Sequence, residues 1–103
     1  KRAAIARALA LEPGLLFLDE PSAGLDPVTS AGLDSLIVTL ARNLALSFVI
    51  VTHELNSILA MIDRALLLDK NKRGVVAEGP PTYLAKDCPA PEAAAFFRRT
   101  LVK

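Results

Sequence analysis

The sequence is poor in the residues that mark several classes of protein. Its 103 residues include one cysteine, one histidine and no tryptophan. A single cysteine, Cys88, cannot form an internal disulfide, which is typical of a protein kept in a reducing compartment. No apolar run approaches the roughly 20 residues that a membrane-spanning helix requires. The first residues do not indicate a signal peptide, because a helical pattern follows them and not a long apolar segment with a cleavage site.

An excess of charge of one sign is also lacking. Twelve Lys and Arg residues balance eleven Asp and Glu residues, for a formal net charge of +1. This balance gives no electrostatic reason to expect a nucleic-acid partner. The densest basic cluster, Lys70, Lys72 and Arg73, favours a polar hairpin turn, with a phosphate-binding patch as the alternative. Apolar residues make up 52% of the chain, enough to pack the core of one small domain.

The apolar pattern predicts an α/β fold. Short apolar runs at 15–18 and 48–51 are typical of strands buried on both faces of a parallel sheet. A leucine-rich helical stripe lies between them, and Asp26 followed by Pro27 marks where that helix begins. Strand, helix and strand in this order form a βαβ unit, in which the strands run parallel.

Further elements flank this unit. Proline and glycine positions, together with the apolar spacing, delimit them. We predict a helix before the first strand, a helix after the second, a β-hairpin and two short helices, over residues 1–11, 54–61, 65–78, 82–86 and 91–99.

Chemically useful side chains follow both strands of the βαβ unit. Asp19 and Glu20 come directly after the first strand, and Thr52 and His53 after the second. Parallel strands bring these ends to one edge of the sheet, where ligands of open α/β sheets bind. Asp19 suits a Mg²⁺ ligand, and Glu20 suits a base that deprotonates water attacking a phosphoryl group. Taken alone, each feature is more often a solvated loop or a surface histidine; it is the conjunction that points to a site.

This set of motifs resembles the ATP-binding-cassette (ABC) ATPases over residues 1 to about 87. LLFLDE at 15–20 resembles the Walker B motif with its catalytic glutamate, SAGLD at 22–26 the D-loop, and VTHE at 51–54 the H-loop. Other matches are the helix that follows the family's LSGGQ signature and the strands that follow its H-loop, at 1–9, 63–68 and 77–79.

The resemblance implies a P-loop NTPase-like core that hydrolyses ATP with Mg²⁺ to move a partner. By position, Asp19 would hold Mg²⁺, Glu20 would polarise the attacking water, and His53 would contact the γ-phosphate. The D-loop would face a second ABC ATPase domain in a head-to-tail dimer, and the expected cofactor-binding residues on it are Ser22, Gly24 and Asp26. Transmembrane permease subunits and a place on the cytoplasmic face of a membrane are implied as well.

Other family motifs do not occur in the sequence. There is no GxxxxGK[ST] phosphate-binding loop, no LSGGQ signature and no Q-loop, all of which precede this region in the family. We therefore expect a C-terminal fragment, with residues 1–87 from the catalytic core and 88–103 as a helical tail. We expect the isolated chain to turn over no ATP, because nothing cradles the phosphates, and to expose apolar sheet surface.

Several specific functions remain open within and beyond the family. The beginning of the chain, residues 24–29 and the tail at 92–99 are similar to ATPases of bacterial lipid-trafficking systems of the mammalian-cell-entry type. ATPases that import polar amino acids and other small solutes share most of these residues. An ABC protein acting on DNA or the ribosome would favour a basic surface, and a non-catalytic module would favour replacement of Glu20 or His53; the sequence has neither feature.

Overall fold

The computed structural model describes the backbone of residues 2–101 and the side chains of residues 2–98. The described residues divide into two compact units, with the boundary between Ser57 and Ile58. In chain order the elements are α1 (Arg2–Leu9), β1 (Leu15–Asp19), α2 (Pro27–Asn43), β2 (Ser47–Val51), α3 (Leu55–Met61), β3 (Ala65–Asp69), β4 (Gly74–Gly79), α4 (Pro81–Lys86) and α5 (Pro91–Leu101). The predicted α/β class is confirmed. The division into a core and a tail near residue 87 stays a prediction.

Strands β1 and β2 form the parallel pair that the βαβ pattern predicts. Their register runs from Leu15 opposite Ser47 to Asp19 opposite Val51. The backbone N–H of Glu20 donates to the carbonyl of Val51 at 2.7 Å, so the pairing continues one residue beyond β1. The ends of both strands therefore lie side by side, which places the residues that follow them at one edge.

Helix α2 begins where the sequence predicts. Asp26 is the N-cap, and its carboxylate accepts hydrogen bonds from the backbone N–H of Thr29 at 3.1 Å and from its hydroxyl at 2.6 Å. Pro27 occupies the first helical position, where its missing N–H costs nothing. Together these residues fix the point at which the loop after β1 becomes helix.

The prediction that both faces of the strands are buried is wrong for this chain. The side chains of β1 and β2 alternate between half-buried and exposed, and Phe17 is 69% exposed. The exposed apolar side chains of this face are Leu15, Phe17, Val49 and Val51. The buried apolar residues of the first unit include Ile5, Leu33, Ile37 and Leu46. One face is open because no other described segment of this unit covers it, as expected for apolar sheet surface in a partial domain.

The second unit contains the predicted β-hairpin. Strands β3 and β4 are antiparallel, from Ala65 opposite Gly79 to Asp69 opposite Gly74, with an irregularity between Leu67 and Leu68. Helices α4 and α5 also belong to the unit, and its buried apolar side chains are Ile58, Ala77, Leu84, Ala93 and Phe97.

One residue of the basic cluster at the hairpin turn, Lys72, forms an ion pair. Lys72 Nζ lies 2.6 Å from the Glu92 carboxylate on α5. This hydrogen-bonded contact raises the pKa of Lys72 and lowers the pKa of Glu92. Strands β3 and β4 on either side of the cluster confirm the predicted hairpin turn, and the phosphate-binding alternative stays a prediction.

None of the helices within residues 2–101 is both long enough and apolar enough to span a bilayer.

Candidate functional site

The site is built around Glu20, which turns the chain at the end of β1. Glu20 has φ 47°, in the left-handed region that residues with a Cβ seldom adopt. Its backbone N–H is held by Val51, and its carbonyl accepts from the N–H of Ala23 at 3.1 Å. Glu12, Ala45 and Arg73 also have positive φ, so the conformation marks a tight turn and does not by itself indicate a functional site. The turn aims the Glu20 side chain along the edge toward the end of β2.

His53 meets Glu20 directly. Nδ1 of His53 lies 2.7 Å from Oε1 of Glu20, and the hydroxyl of Thr52 lies 3.4 Å from Oε2. An ionised carboxylate can only accept, so Nδ1 of His53 carries the proton in this contact. The side chain of Glu20 is 30% exposed and that of His53 is 70% exposed. Each oxygen of Glu20 thus has a donor, while most of the histidine ring faces solvent.

Thr52 also orders the short link between β2 and α3. Its hydroxyl oxygen accepts a hydrogen bond from the backbone N–H of Glu54 at 3.1 Å. The same hydroxyl can donate to Glu20, so one side chain connects the backbone after His53 with the carboxylate before the loop. Sequence reasoning placed Thr52 at this edge but assigned it no role.

Asp19 stands apart from this network. It is exposed, and its carboxylate has no hydrogen bond or ion pair among the described residues. Mg²⁺ commonly binds one or two carboxylates together with phosphate oxygens and several waters. No group of three or more His, Cys, Asp or Glu side chains that could hold a metal occurs within the described residues. A single free carboxylate therefore fits a metal that is shared with a phosphate-bearing ligand.

The loop from Glu20 to Asp26 is compact. Ser22 is buried, and its carbonyl accepts from the N–H of Leu25 at 3.1 Å. Gly24 has φ 81°, and an added Cβ would touch nothing within 4 Å, so glycine is needed for the backbone conformation rather than for space. The carboxylate of Asp26 is engaged with Thr29 at the start of α2.

The structure therefore sorts the predicted site residues into two groups. Glu20 and His53 are in contact, with Asp19 adjacent to Glu20 in the chain. Ser22, Gly24 and Asp26 shape the loop that follows, and their binding of a nucleotide stays a prediction. A cavity of about 330 Å³ in the first unit is lined by Arg2, Ala3, Leu25, Thr29 and Leu33, and none of these belongs to the Glu20–His53 contact.

Sequence reasoning missed one pair of polar residues in the same unit. Ser57 Oγ donates to Asp34 Oδ2 at 2.8 Å, and both residues are buried. The available signal was the position of Asp34, three residues before Ile37 and therefore on the buried side of α2.

Comparison with known proteins finds relatives over most of the chain. No family model matches. The chain is 43% identical over 75 residues to the aliphatic sulfonates import ATP-binding protein SsuB of Escherichia coli strain K12, covering 73% of this chain and 29% of that protein. It is 40% identical over 97 residues to the intermembrane phospholipid transport system ATP-binding protein MlaF of the same strain, covering 94% of this chain and 35% of that protein.

One solved structure agrees with the sequence matches. It is cbiO1 of Clostridium perfringens, described as part of the ABC transporter complex cbiONQ, with a TM-score of 0.76 and 31% sequence identity. The match covers 84% of this chain and 34% of that one. The chain thus spans about a third of the length of the relatives it matches.

Proposed function

We propose that this chain, which is homologous to ABC transporter ATP-binding proteins over most of its length, belongs to an ATPase that energises a membrane transporter. Its part is to supply the hydrolytic residues. The observation that carries the proposal is the contact between Glu20 and His53 at the edge of the parallel strands. A carboxylate whose two oxygens face two donors is oriented before any substrate arrives, which favours it as a positioned base.

Glu20 is the residue we assign to the attacking water. The water oxygen forms a bond to the γ-phosphorus of ATP, the bond from that phosphorus to the bridging oxygen breaks, and a water proton passes to the carboxylate. Thr52 and His53 hold the carboxylate during this step. Because Glu20 is 30% exposed, water reaches it without movement of the core.

His53 is the residue we assign to the γ-phosphate. Its Nδ1–H is engaged with Glu20, while Nε2 lies 4.0 Å from Oε1 of the exposed Glu54 side chain. Because the ring is 70% exposed, Nε2 is the ring nitrogen that a phosphate oxygen can reach. A neutral imidazole has one N–H only. His53 can therefore donate to Glu20 and to phosphate at the same time only as an imidazolium.

Asp19 is the residue we assign to Mg²⁺. Its exposed, unpaired carboxylate beside Glu20 fits a cation that also binds nucleotide phosphates. Magnesium bound there would neutralise charge on the transferred phosphoryl group. The chain's own contribution is to hold Asp19 in register on β1, opposite Val51.

The whole transporter requires parts outside this chain. We propose that a second ABC ATPase domain faces the loop containing Ser22, Gly24 and Asp26. We further propose transmembrane permease partners and a position on the cytoplasmic face of the membrane. The names of the relatives, a sulfonate importer, a phospholipid transport system and a transporter complex, support transport over work on DNA or the ribosome.

Phospholipid is the cargo we favour. The match to the phospholipid system extends over 94% of the chain, whereas the match to the sulfonate importer covers 73%. Import of a small solute such as a sulfonate is the second candidate, because that relative is slightly more identical where it aligns. The test uses a longer protein, in which this chain follows a phosphate-binding loop and a signature motif, purified with its permease. ATP hydrolysis is measured with phospholipid vesicles or with alkylsulfonates. Stimulation by sulfonate and not by phospholipid would make the small solute, and not phospholipid, the favoured cargo.

A further inference from the structure

Helices α2 and α3 are joined by one buried polar contact. Ser57 Oγ on α3 donates to Asp34 Oδ2 on α2 at 2.8 Å, and the two residues are 2% and 6% exposed. Within the described residues this is the only side-chain hydrogen bond between these helices. The second oxygen, Asp34 Oδ1, is buried without a partner. A pair of apolar side chains would close the same gap without leaving a polar atom unsatisfied. The polar pair therefore calls for an explanation beyond packing.

The position of Ser57 connects this contact with the candidate site. Ser57 lies four residues after His53, in the first turn of α3, which begins at Leu55. His53 belongs to the link of residues 52–54, which joins β2 to α3. The hydrogen bond from Glu20 to Val51 holds the strand end of this link, and the hydrogen bond from Ser57 to Asp34 holds the helix end.

His53 has little packing of its own. Its side chain is 70% exposed, so neighbouring atoms do not fix where the ring lies. The 2.7 Å contact with Glu20 nevertheless requires Nδ1 to be placed within a few tenths of an ångström. Its placement must therefore come from the backbone of the link. Thr52 orders the middle of the link through the N–H of Glu54, and the helix end is held by the buried Leu55 side chain together with the hydrogen bond from Ser57 to Asp34.

We propose that Asp34 and Ser57 are positioning residues that hold the start of α3 so that His53 Nδ1 meets Glu20. The proposal rests on the proposed function, in which Glu20 and His53 act on ATP and its attacking water. Neither Asp34 nor Ser57 touches the reacting groups. Their hydrogen bond fixes the link from the helix side, and its loss releases the histidine from the carboxylate while leaving β1 and β2 paired.

The tautomer of His53 reports on this contact. His53 is the only histidine of the chain, so its ring signals need no assignment among several. At a pH where the ring is neutral, contact with Glu20 requires the Nδ1–H form, whereas a free imidazole prefers the Nε2–H form. Ring ¹⁵N chemical shifts of the 103-residue chain distinguish the two forms.

Four variants test the proposal. Ser57→Ala and Asp34→Leu remove the hydrogen bond, and each is expected to change the majority form from Nδ1–H to Nε2–H. Asp34→Asn keeps an acceptor for Ser57 and is expected to retain the Nδ1–H form. Ser35→Ala, a neighbouring exposed serine on α2, is the matched control and is expected to retain it as well.

The outcomes separate this inference from the proposed function. A folded Ser57→Ala or Asp34→Leu chain that keeps the wild-type tautomer overturns the positioning role. If Ser57→Ala fails to fold, the tautomer of His53 in Asp34→Leu tests the positioning role. Asp34→Leu is expected to fold because it also removes the unsatisfied carboxylate, and Ser57 can then donate to the backbone carbonyl one turn earlier. Normal ATP turnover by Glu20→Gln in the longer protein would instead overturn the proposed function, whatever the tautomer of the Ser57 variant.

Discussion

His53 Nδ1 and Glu20 Oε1 lie 2.7 Å apart although 33 residues separate them in sequence. The contact forms because both residues follow directly on paired parallel strands, with Glu20 one residue after β1 and His53 two residues after β2. The carboxylate therefore already has donors on both oxygens before any water binds. A water approaching Glu20 has to share an oxygen with His53 or Thr52, so the carboxylate is oriented and can still accept a hydrogen bond from that water.

We predict that Glu20→Gln in the longer protein slows ATP hydrolysis about 10²–10⁴-fold, the usual contribution of a positioned base. Glutamine keeps the shape of the side chain and an acceptor for His53 but cannot take a proton from water. Nucleotide affinity is therefore expected to stay near the wild-type value. The measurement pairs steady-state turnover with equilibrium ATP binding, and Glu12→Gln, an exposed glutamate beyond α1, is the control. Normal turnover, or a loss of ATP binding as severe as that expected for Asp19→Asn, would show that Glu20 is not the base.

Asp19→Asn is predicted to fail in a different way. It removes one charge from a carboxylate that has no partner in the described residues, so the fold should tolerate it. The expected loss is in the metal-dependent part of nucleotide binding, with partial recovery when Mg²⁺ is raised. Titration of ATP binding against Mg²⁺ concentration, for wild type and variant, measures this shift. If ATP affinity depended on Mg²⁺ concentration in the same way for wild type and Asp19→Asn, Asp19 would not be a magnesium ligand.

The sequence was sufficient for the elements that local chemistry and connectivity determine. Asp26 followed by Pro27 predicted where α2 begins, because capping needs only residues close in the chain. The parallel pairing of β1 with β2 followed from two short apolar runs separated by a helix. Once the pairing is given, the meeting of Glu20 with His53 follows from topology.

Long-range polar contacts and strand exposure could not be predicted in the same way. The hydrogen bond between Asp34 and Ser57 joins residues 23 apart, and nothing in either local pattern names its partner. The left-handed conformation of Glu20 is imposed by the tight turn after β1, not by a preference of glutamate. Phe17 was expected inside, because an apolar run predicts burial only where a second layer exists to cover it.

The open face of β1 and β2 predicts association of the isolated chain. Phe17 is 69% exposed beside Val49, its partner in the strand register. We expect Phe17→Ser to reduce self-association, seen by light scattering over a concentration series, and to change the free energy of unfolding by only about 0.5 kcal/mol. Leu16→Ser, on the half-buried opposite face, is the matched control and is expected to destabilise by about 0.5–3 kcal/mol. Equal association by wild type and Phe17→Ser would show that this face does not drive it.

The cap of α2 predicts a pH-dependent part of the stability. Hydrogen bonds from the hydroxyl and the backbone N–H of Thr29 lower the pKa of Asp26 below its ordinary value of 3.8. A carboxyl group with a lowered pKa in the folded state stabilises that state above the unfolded pKa and loses this effect as the pH falls through the folded value. Wild type is therefore expected to melt at a higher temperature than Asp26→Ala near neutral pH. Below about pH 4 this difference should narrow, since protonation removes the charge that Thr29 and the helix N-terminus favour.

Thermal melts of the chain at a series of pH values measure the effect of Asp26. Asp63→Ala is the control, because Asp63 is exposed and has no hydrogen bond or ion pair among the described residues. Its melting temperature should follow that of wild type at every pH. A difference between wild type and Asp26→Ala that stays constant from neutral pH to below pH 4 would mean that the charge of Asp26 does not contribute to the cap. A difference that narrows shows that the charge at the cap fixes the start of α2, and with it the end of the loop that leaves Glu20.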